Sequence, residues 1–272
     1  MKTHPALPFR SWTLMTMVVL ALSPCAPADP VPVRHVNGTV HGFLELRSEQ
    51  GRVIASGDAI QVARGGQVTS HVLFRFNDGS IDDETTVFTQ RHNFQLVTDH
   101  HVQKGPSFPH PMDISIDCRK GDVTVRSIGK DGKEEVKTDH LALPPDLANG
   151  LVSFVLENML PNTPDTKVSM LVATPKPRLV KLAVSSRGEE PFSLGGASRK
   201  ANHYAIKIEL GGVAGVVAPL VGKQPPDIQI WTVGGEAPTF LREEGPAYAD
   251  GPVWTIELAS PVWGESAGSA HE

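Results

Sequence analysis

Val68-Thr69-Ser70-His71-Val72-Leu73-Phe74-Arg75-Phe76, followed by Asn77-Asp78-Gly79-Ser80, decides the class of fold. Its even positions are mainly apolar and three of its four odd ones are polar, the two-residue period of a strand with one face in a core. The Asp-Gly pair then supplies a hairpin turn, so residues 68–76 and about 81–90 are expected to pair antiparallel.

The same rhythm recurs on both sides of this hairpin. Strands are expected near 39–47, 53–64, 94–103, 112–118, 122–128 and 134–139, with Lys130-Asp131-Gly132-Lys133 as a second Asp-Gly turn joining the last two. They resume at 167–174, 178–186, 201–210, 227–234, 238–244 and 252–260. Between the two series, Pro144-Pro145-Asp146 introduces a segment with apolar residues at 147, 151, 154 and 155 that stops at Pro161, the pattern of a helix over 146–160. Its apolar arc is too broad for a surface helix and suits the concave side of a sheet. A dozen strands in one sheet must curl. The expected fold is therefore mainly β, a curved antiparallel sheet or incomplete β-barrel wrapped around one central helix. Residues 29–263 form a single β-rich domain, and the small, polar residues 264–272 a disordered tail.

Composition agrees with short strands and many turns: Gly (25) and Pro (23) are abundant, and charged residues are 20%. The net charge of −5, with no block of like charges, offers no field for nucleic acid. Residues 1–28 have the three parts of a secretory signal. Lys2 and Arg10 make a basic start, Trp12 to Leu22 an uncharged apolar run too short to span a bilayer, and Ala26-Pro27-Ala28 a small-x-small cleavage site. Cleavage after Ala28 gives a periplasmic or secreted protein. A lipoprotein reading through Leu22-Ser23-Pro24-Cys25 meets Pro24 where Gly or Ala is wanted. Without Cys25 the chain keeps one cysteine, Cys118, so an internal disulfide and a Cys-based zinc site are both excluded. Cys118 shares a strand face with Ile114 and Ile116 and reads as a small buried hydrophobe.

No Gly-x-Ser-x-Gly, His-Glu-x-x-His or Gly-x-Gly-x-x-Gly motif occurs, and Gly222-Lys223 lacks the remainder of a phosphate loop. His92, Asp99, His100, His101 and His110 fall close together. In an unbroken strand over 94–103, His100 shares a face with Phe94, Leu96 and Val102, and His101 with Gln95, Asp99 and Gln103. Asp99 and His101, with His110 as a third, are the candidate ligands of a metal-dependent hydrolase; the alternative is a solvated polar face. Asp82-Asp83-Glu84 lacks the spacing of a calcium loop and reads as a solvated turn.

Gly211 to Gly222 is a glycine-rich stretch without a charge, either an apolar lip over a cavity or a buried connection. Beyond it, Gly222-Lys223-Gln224-Pro225-Pro226-Asp227-Ile228-Gln229-Ile230-Trp231 resembles an element of uncharacterised exported bacterial families of the DUF3108 kind. More distantly, the order of signal, strands and one helix is similar to LolA/LolB-type periplasmic proteins, although those carry more lid helix. The resemblance implies a concave apolar face able to hold an acyl chain, and no catalytic residues. The expected function is thus non-enzymatic: an exported envelope protein binding an apolar or amphiphilic, lipid-like ligand in the concave face of the sheet. Leu151, Phe154 and Val155 of the helix and Val213, Val216, Val217 and Leu220 of the loop are the candidate ligand-binding residues. No cofactor, metal or nucleic-acid partner is expected; peripheral association with the envelope is compatible, and the oligomeric state stays open. The third reading is a structural envelope protein acting through exposed sheet edges.

Overall fold

The computed structural model describes residues 31–128, 132–172, 176–194, 197–209, 225–248 and 250–259. The signal at 1–28, the loop at 211–222 and the tail at 264–272 lie outside the described residues. The first eight strands are β1 (Val40–Arg47), β2 (Val53–Arg64), β3 (Gln67–Phe76), β4 (Ile81–Gln90), β5 (Phe94–Lys104), β6 (Met112–Asp117), β7 (Asp122–Ile128) and β8 (Glu134–His140). After α1 (Val152–Glu157) come β9 (Thr166–Val172), β10 (Arg178–Leu194), β11 (Ala197–Glu209), β12 (Ile228–Val233), β13 (Thr239–Pro246) and β14 (Val253–Leu258). They make one 14-stranded sheet in the order β8-β7-β6-β5-β4-β3-β2-β1-β14-β13-β12-β11-β10-β9. Every pairing in it is antiparallel.

The topology has one unusual step. The first and last strands pair in the middle, Leu44 opposite Leu258. The sequence neighbours β8 and β9 are the two outer edges, so the sheet is not closed, and residues 141–165 link one edge to the other. The sheet curls strongly. On a flat sheet β5 and β13 would lie about 29 Å apart, six strand spacings. Yet Gln103 of β5 donates a 3.1 Å hydrogen bond to the carbonyl of Ala247, just past β13. At the same end, Phe108 packs edge-on against Tyr248 and Trp254, with ring centroids 5.9 Å away in each case.

The linking segment departs from the expected helix over 146–160. The helix is six residues, Val152–Glu157, with no side-chain cap at Leu151. Residues 146–149 instead dress the edge of β9. Ala148 N–H donates to Ser169 O (2.8 Å) and Ser169 N–H to Asp146 O (3.0 Å). The Asn149 side chain imitates a strand, accepting from Leu171 N–H (2.8 Å) and donating to Leu171 O (2.9 Å). Gly150 then turns the chain at φ +62°, and only afterwards does it coil. A β-edge with unpaired groups competed for these residues and won over the helical period. In place of one central helix there is thus a link of mixed conformation. Its Leu147, Leu151, Val155, Leu156 and Met159 are buried in a cluster shared with both arms of the sheet, from Val68 and Phe88 on one side to Leu182 and Ile206 on the other.

A second cluster of Leu44, Leu46, Phe74, Phe76, Phe108 and Trp254 fills the middle of the sheet around β1 and β14. The β10–β11 hairpin is longer than the expected strands at 178–186 and 201–210, and β10 runs on through Gly188 and Pro191. Beyond Glu190 this ribbon has outgrown both neighbours, since β9 pairs only as far as Val184 and β12 only with Ala201–Ile206, and a two-stranded arm has free edges where Pro191 is tolerated.

Candidate functional site

Two β-bulges decide which side chains face inward. In β5, Leu96 is opposite Phe88 but Thr98 is opposite Val87, so Val97 is the extra residue. Before it Phe94 and Leu96 are buried; after it the buried residues are Asp99 and Gln103. This reverses the expected alternation. His100 does not join Phe94 and Leu96 but points outward, 3.1 Å from Asp113, while Asp99, His101 and Gln103 continue the inward face. In β13 Leu241 is the extra residue, which brings Glu243 opposite the buried Ile230.

Inward on β4 lie Gln90, Phe88 and Thr86, and the same alternation continues to Glu84 and Asp82. The reading of residues 82–84 as a solvated turn is therefore wrong. They are strand, and the turn ends at Ser80. The inward face gathers an ionisable group. His101 Nε2 is 2.6 Å from Asp82 Oδ1, and its Nδ1 is 3.7 Å from Glu84 Oε1. Gln103 Nε2 donates to Asp82 Oδ2 at 2.9 Å. Thr86 donates to Asp99 Oδ1 at 2.8 Å, and Asp99 Oδ2 has no partner. From the facing wall comes Glu243, close enough for its charge to act on Glu84 and to be acted on by Asp82.

The electrostatics follow from this crowding. Burial pushes Asp99 up to about 7, helped by Glu84 and opposed by the Thr86 hydrogen bond and His101. Burial likewise raises Glu84, with Asp82 and Glu243 adding to the shift and His101 opposing it. Glu243 is pushed up to about 7 by burial and Asp82. For His101 burial works against the cation, but Glu84, Asp82 and Asp99 outweigh it and hold the imidazolium to about 9. Asp82, Glu84 and His101 nonetheless keep 16%, 26% and 23% of their side-chain surface accessible. Water therefore still reaches these three side chains although protein surrounds most of each.

Beside this polar patch lies the apolar cluster with three of the expected ligand-binding residues. Leu151 and Val155 are buried, and Phe154 packs on Phe88 with centroids 4.8 Å apart. Val213, Val216, Val217 and Leu220 lie outside the described residues. Gly150 fastens the link to the patch, because a Cβ there would sit 1.9 Å from Thr86 Oγ1. A further carboxyl, Glu157, ends α1 and accepts from Phe240 N–H at 2.9 Å; burial lifts it to about 7 against that hydrogen bond. Of the expected metal ligands, Asp99 and His101 share the inward face while His110 is exposed on the β5–β6 connection, and no three His, Cys, Asp or Glu among the described residues are arranged to hold a metal ion. Cys118 packs partly buried against the apolar cluster with Ile114 and Ile116, and burial raises its thiol to about 11.

From sequence Asp82 and Glu84 read only as a solvated turn, and Glu243 and Glu157 do not stand out at all. Counting back by twos from Phe88 would have found the first two. Glu243 is hidden by the bulge at Leu241, and Glu157 by the overlong helix.

A solved structure similar to this chain is a β-barrel-like protein of a domain of unknown function, DUF1849, from Brucella abortus, at 9% identity and a TM-score of 0.42, covering 86% of this chain and 98% of that one. No protein-family model matches the chain, and no curated protein matches it. In residues, the likeness to the DUF3108 kind rests on the 222–231 element, of which Ile228–Trp231 lie in β12, and these comparisons bear out neither it nor the likeness to LolA/LolB-type proteins.

Proposed function

We propose that this is an exported envelope protein that holds an amphiphilic ligand on the inward face of its curled sheet. The observation that carries the reading is the pairing of two surfaces there: an apolar cluster with Leu151, Phe154 and Val155, and beside it the water-accessible side chains of Asp82, Glu84 and His101. Charged groups are withdrawn from water only at a cost, which a core without a ligand has no reason to bear. An amphiphile matches both surfaces, and the uncharged stretch 211–222 would add apolar cover. Export rests on residues 1–28, with the mature chain starting at Asp29.

Native mass spectrometry of the protein purified from its own envelope tests the reading, together with titration by an apolar fluorescent probe. A non-covalent adduct lost on denaturation, and saturable probe binding that the adduct blocks, are expected. Ligand-free protein that binds no probe would overturn it.

A further inference from the structure

The two outer edges of the sheet are finished differently. On β9 the backbone of Asp146 and Ala148 bonds Ser169, and the side chain of Asn149 bonds Leu171. No described residue covers β8 in this way, and six of its seven residues are exposed. Which of its backbone groups are free follows from one bond. Leu141 N–H donates to Gly121 O at 2.7 Å, so that pair, the next after His140 with Asp122, is a hydrogen-bonded one. Bonded and non-bonded pairs alternate along an antiparallel ladder. Glu135, Lys137 and Asp139 therefore turn their backbone groups to β7, whereas Glu134, Val136, Thr138 and His140 turn theirs to the open side. Unpaired edges of this kind accept a further strand. The charges of β8 select which one. Two copies paired antiparallel about Lys137 set Lys137 on itself and Glu135 on Asp139, and paired about Glu135 they set two glutamates together. About Thr138, Lys137 meets Asp139 but Glu135 finds no cation. About Val136, Glu135 of each copy meets Lys137 of the other. Glu135 and Lys137 already lie 3.5 Å apart within one strand, so the four groups close a ring of alternating charge. On the other face Val136, 55% exposed, covers its own copy.

We propose that β8 is a homodimer edge, at which two copies of the chain pair antiparallel about Val136 and join their sheets. Val136 exchanges both backbone bonds with its copy, and Glu134 does so with Thr138 on either side. The charges that fix this register repel the adjacent ones. Each copy spends its β8 edge on the other, and Asp146 to Asn149 occupy the β9 edge, so growth stops at two.

Sedimentation of the purified protein over a range of concentrations tests this, and should show a reversible monomer–dimer equilibrium. Val136→Pro removes an N–H that faces the open side and none that faces β7, so it should keep the melting temperature and weaken the dimer about tenfold or more. Glu135→Lys and Lys137→Glu each set like charges opposite one another and should weaken it about as much, while the two together rebuild the ring and restore the dimer. Val136→Cys should oxidise to a covalent dimer, because paired Cα atoms about 5.5 Å apart suit a disulfide. The unmodified protein carries the first test without any variant having to fold. A monomer at every concentration, or a dimer that Val136→Pro leaves intact, would overturn the β8 contact. Failure of the combined charge exchange to restore the dimer would overturn the pairing about Val136.

Discussion

Gly150 and Glu157 show how single residues seat the link on the sheet. Gly150 combines a left-handed φ of +62° with a Cβ position 1.9 Å from Thr86 Oγ1. Alanine there costs about 1 kcal/mol for the backbone alone. It also has to push Thr86 off Asp99, leaving a buried carboxyl with no hydrogen bond on either oxygen, so Gly150→Ala is expected to lose about 2–4 kcal/mol in urea unfolding. A loss under about 1 kcal/mol would mean that the link does not press on β4. Glu157 runs the other way. Its carboxyl is lifted to about 7, mainly by burial, so above that pH the folded state bears a charge it disfavours. Gln keeps the oxygen that accepts from Phe240 N–H and drops the charge. Glu157→Gln should therefore gain on the order of 2 kcal/mol at pH 8 and next to nothing at pH 5. Equal effects at both pH values would contradict the burial of that carboxyl.

At the scale of elements, the strands were legible and their faces were not. Alternation such as that of residues 68–76 survives because each strand has one wet and one dry side, and all the expected strands appear, within a few residues of their places except where β10 runs on to Leu194. A bulge leaves no composition signal, yet the one at Val97 turned His100 outward into a surface pair with Asp113 and brought Asp99 and His101 onto the inward face. The outward result is regular: His41 with Asp58 (3.2 Å), His71 with Asp83 (2.9 Å) and His100 with Asp113 (3.1 Å) repeat the same diagonal across three successive hairpins. The helix was over-read because apolar residues at 147, 151, 154 and 155 serve a plug as well as they serve a coil. What anchors that plug to the start of the chain is Asn158, buried at the end of α1. Its Oδ1 accepts from Arg34 N–H and His35 N–H, both at 2.7 Å, and its Nδ2 donates to Phe154 O at 2.9 Å. Asn158→Ala removes all three bonds, with an expected cost of about 2–3 kcal/mol. Because Val33 N–H still bonds His92 O, the damage should be local, seen as faster amide exchange at 34 and 35 with the β-strand amides unchanged. Uniform acceleration across the sheet would show that the link and the sheet unfold as one unit.

For the whole molecule, the inward ionisable groups act in one direction with pH. Glu84, Asp99, Glu157 and Glu243 all have carboxyls raised by burial, the last three to about 7, and His101 is raised to about 9 by its acidic neighbours. A raised carboxyl keeps its proton in the folded state after the unfolded chain has released it, so stability falls as pH climbs from the ordinary carboxylate range to about 7. The raised imidazole stabilises fully below its ordinary value and loses that contribution as pH climbs to about 9. Each extra proton held by the folded state tilts stability by about 1.4 kcal/mol per pH unit. Asp78 and Asp117, lowered chiefly by hydrogen bonds from Ser107 and from the backbone of Lys120, respectively, contribute only to the acid limb, where their stabilisation is lost on protonation. The melting temperature at constant ionic strength should therefore peak near pH 5 and drop steadily to pH 9, opposite to the behaviour of a protein held by ionised carboxylates. A melting temperature that is level or rises from pH 5 to 9 would mean that the inward carboxylates are solvated in the folded protein.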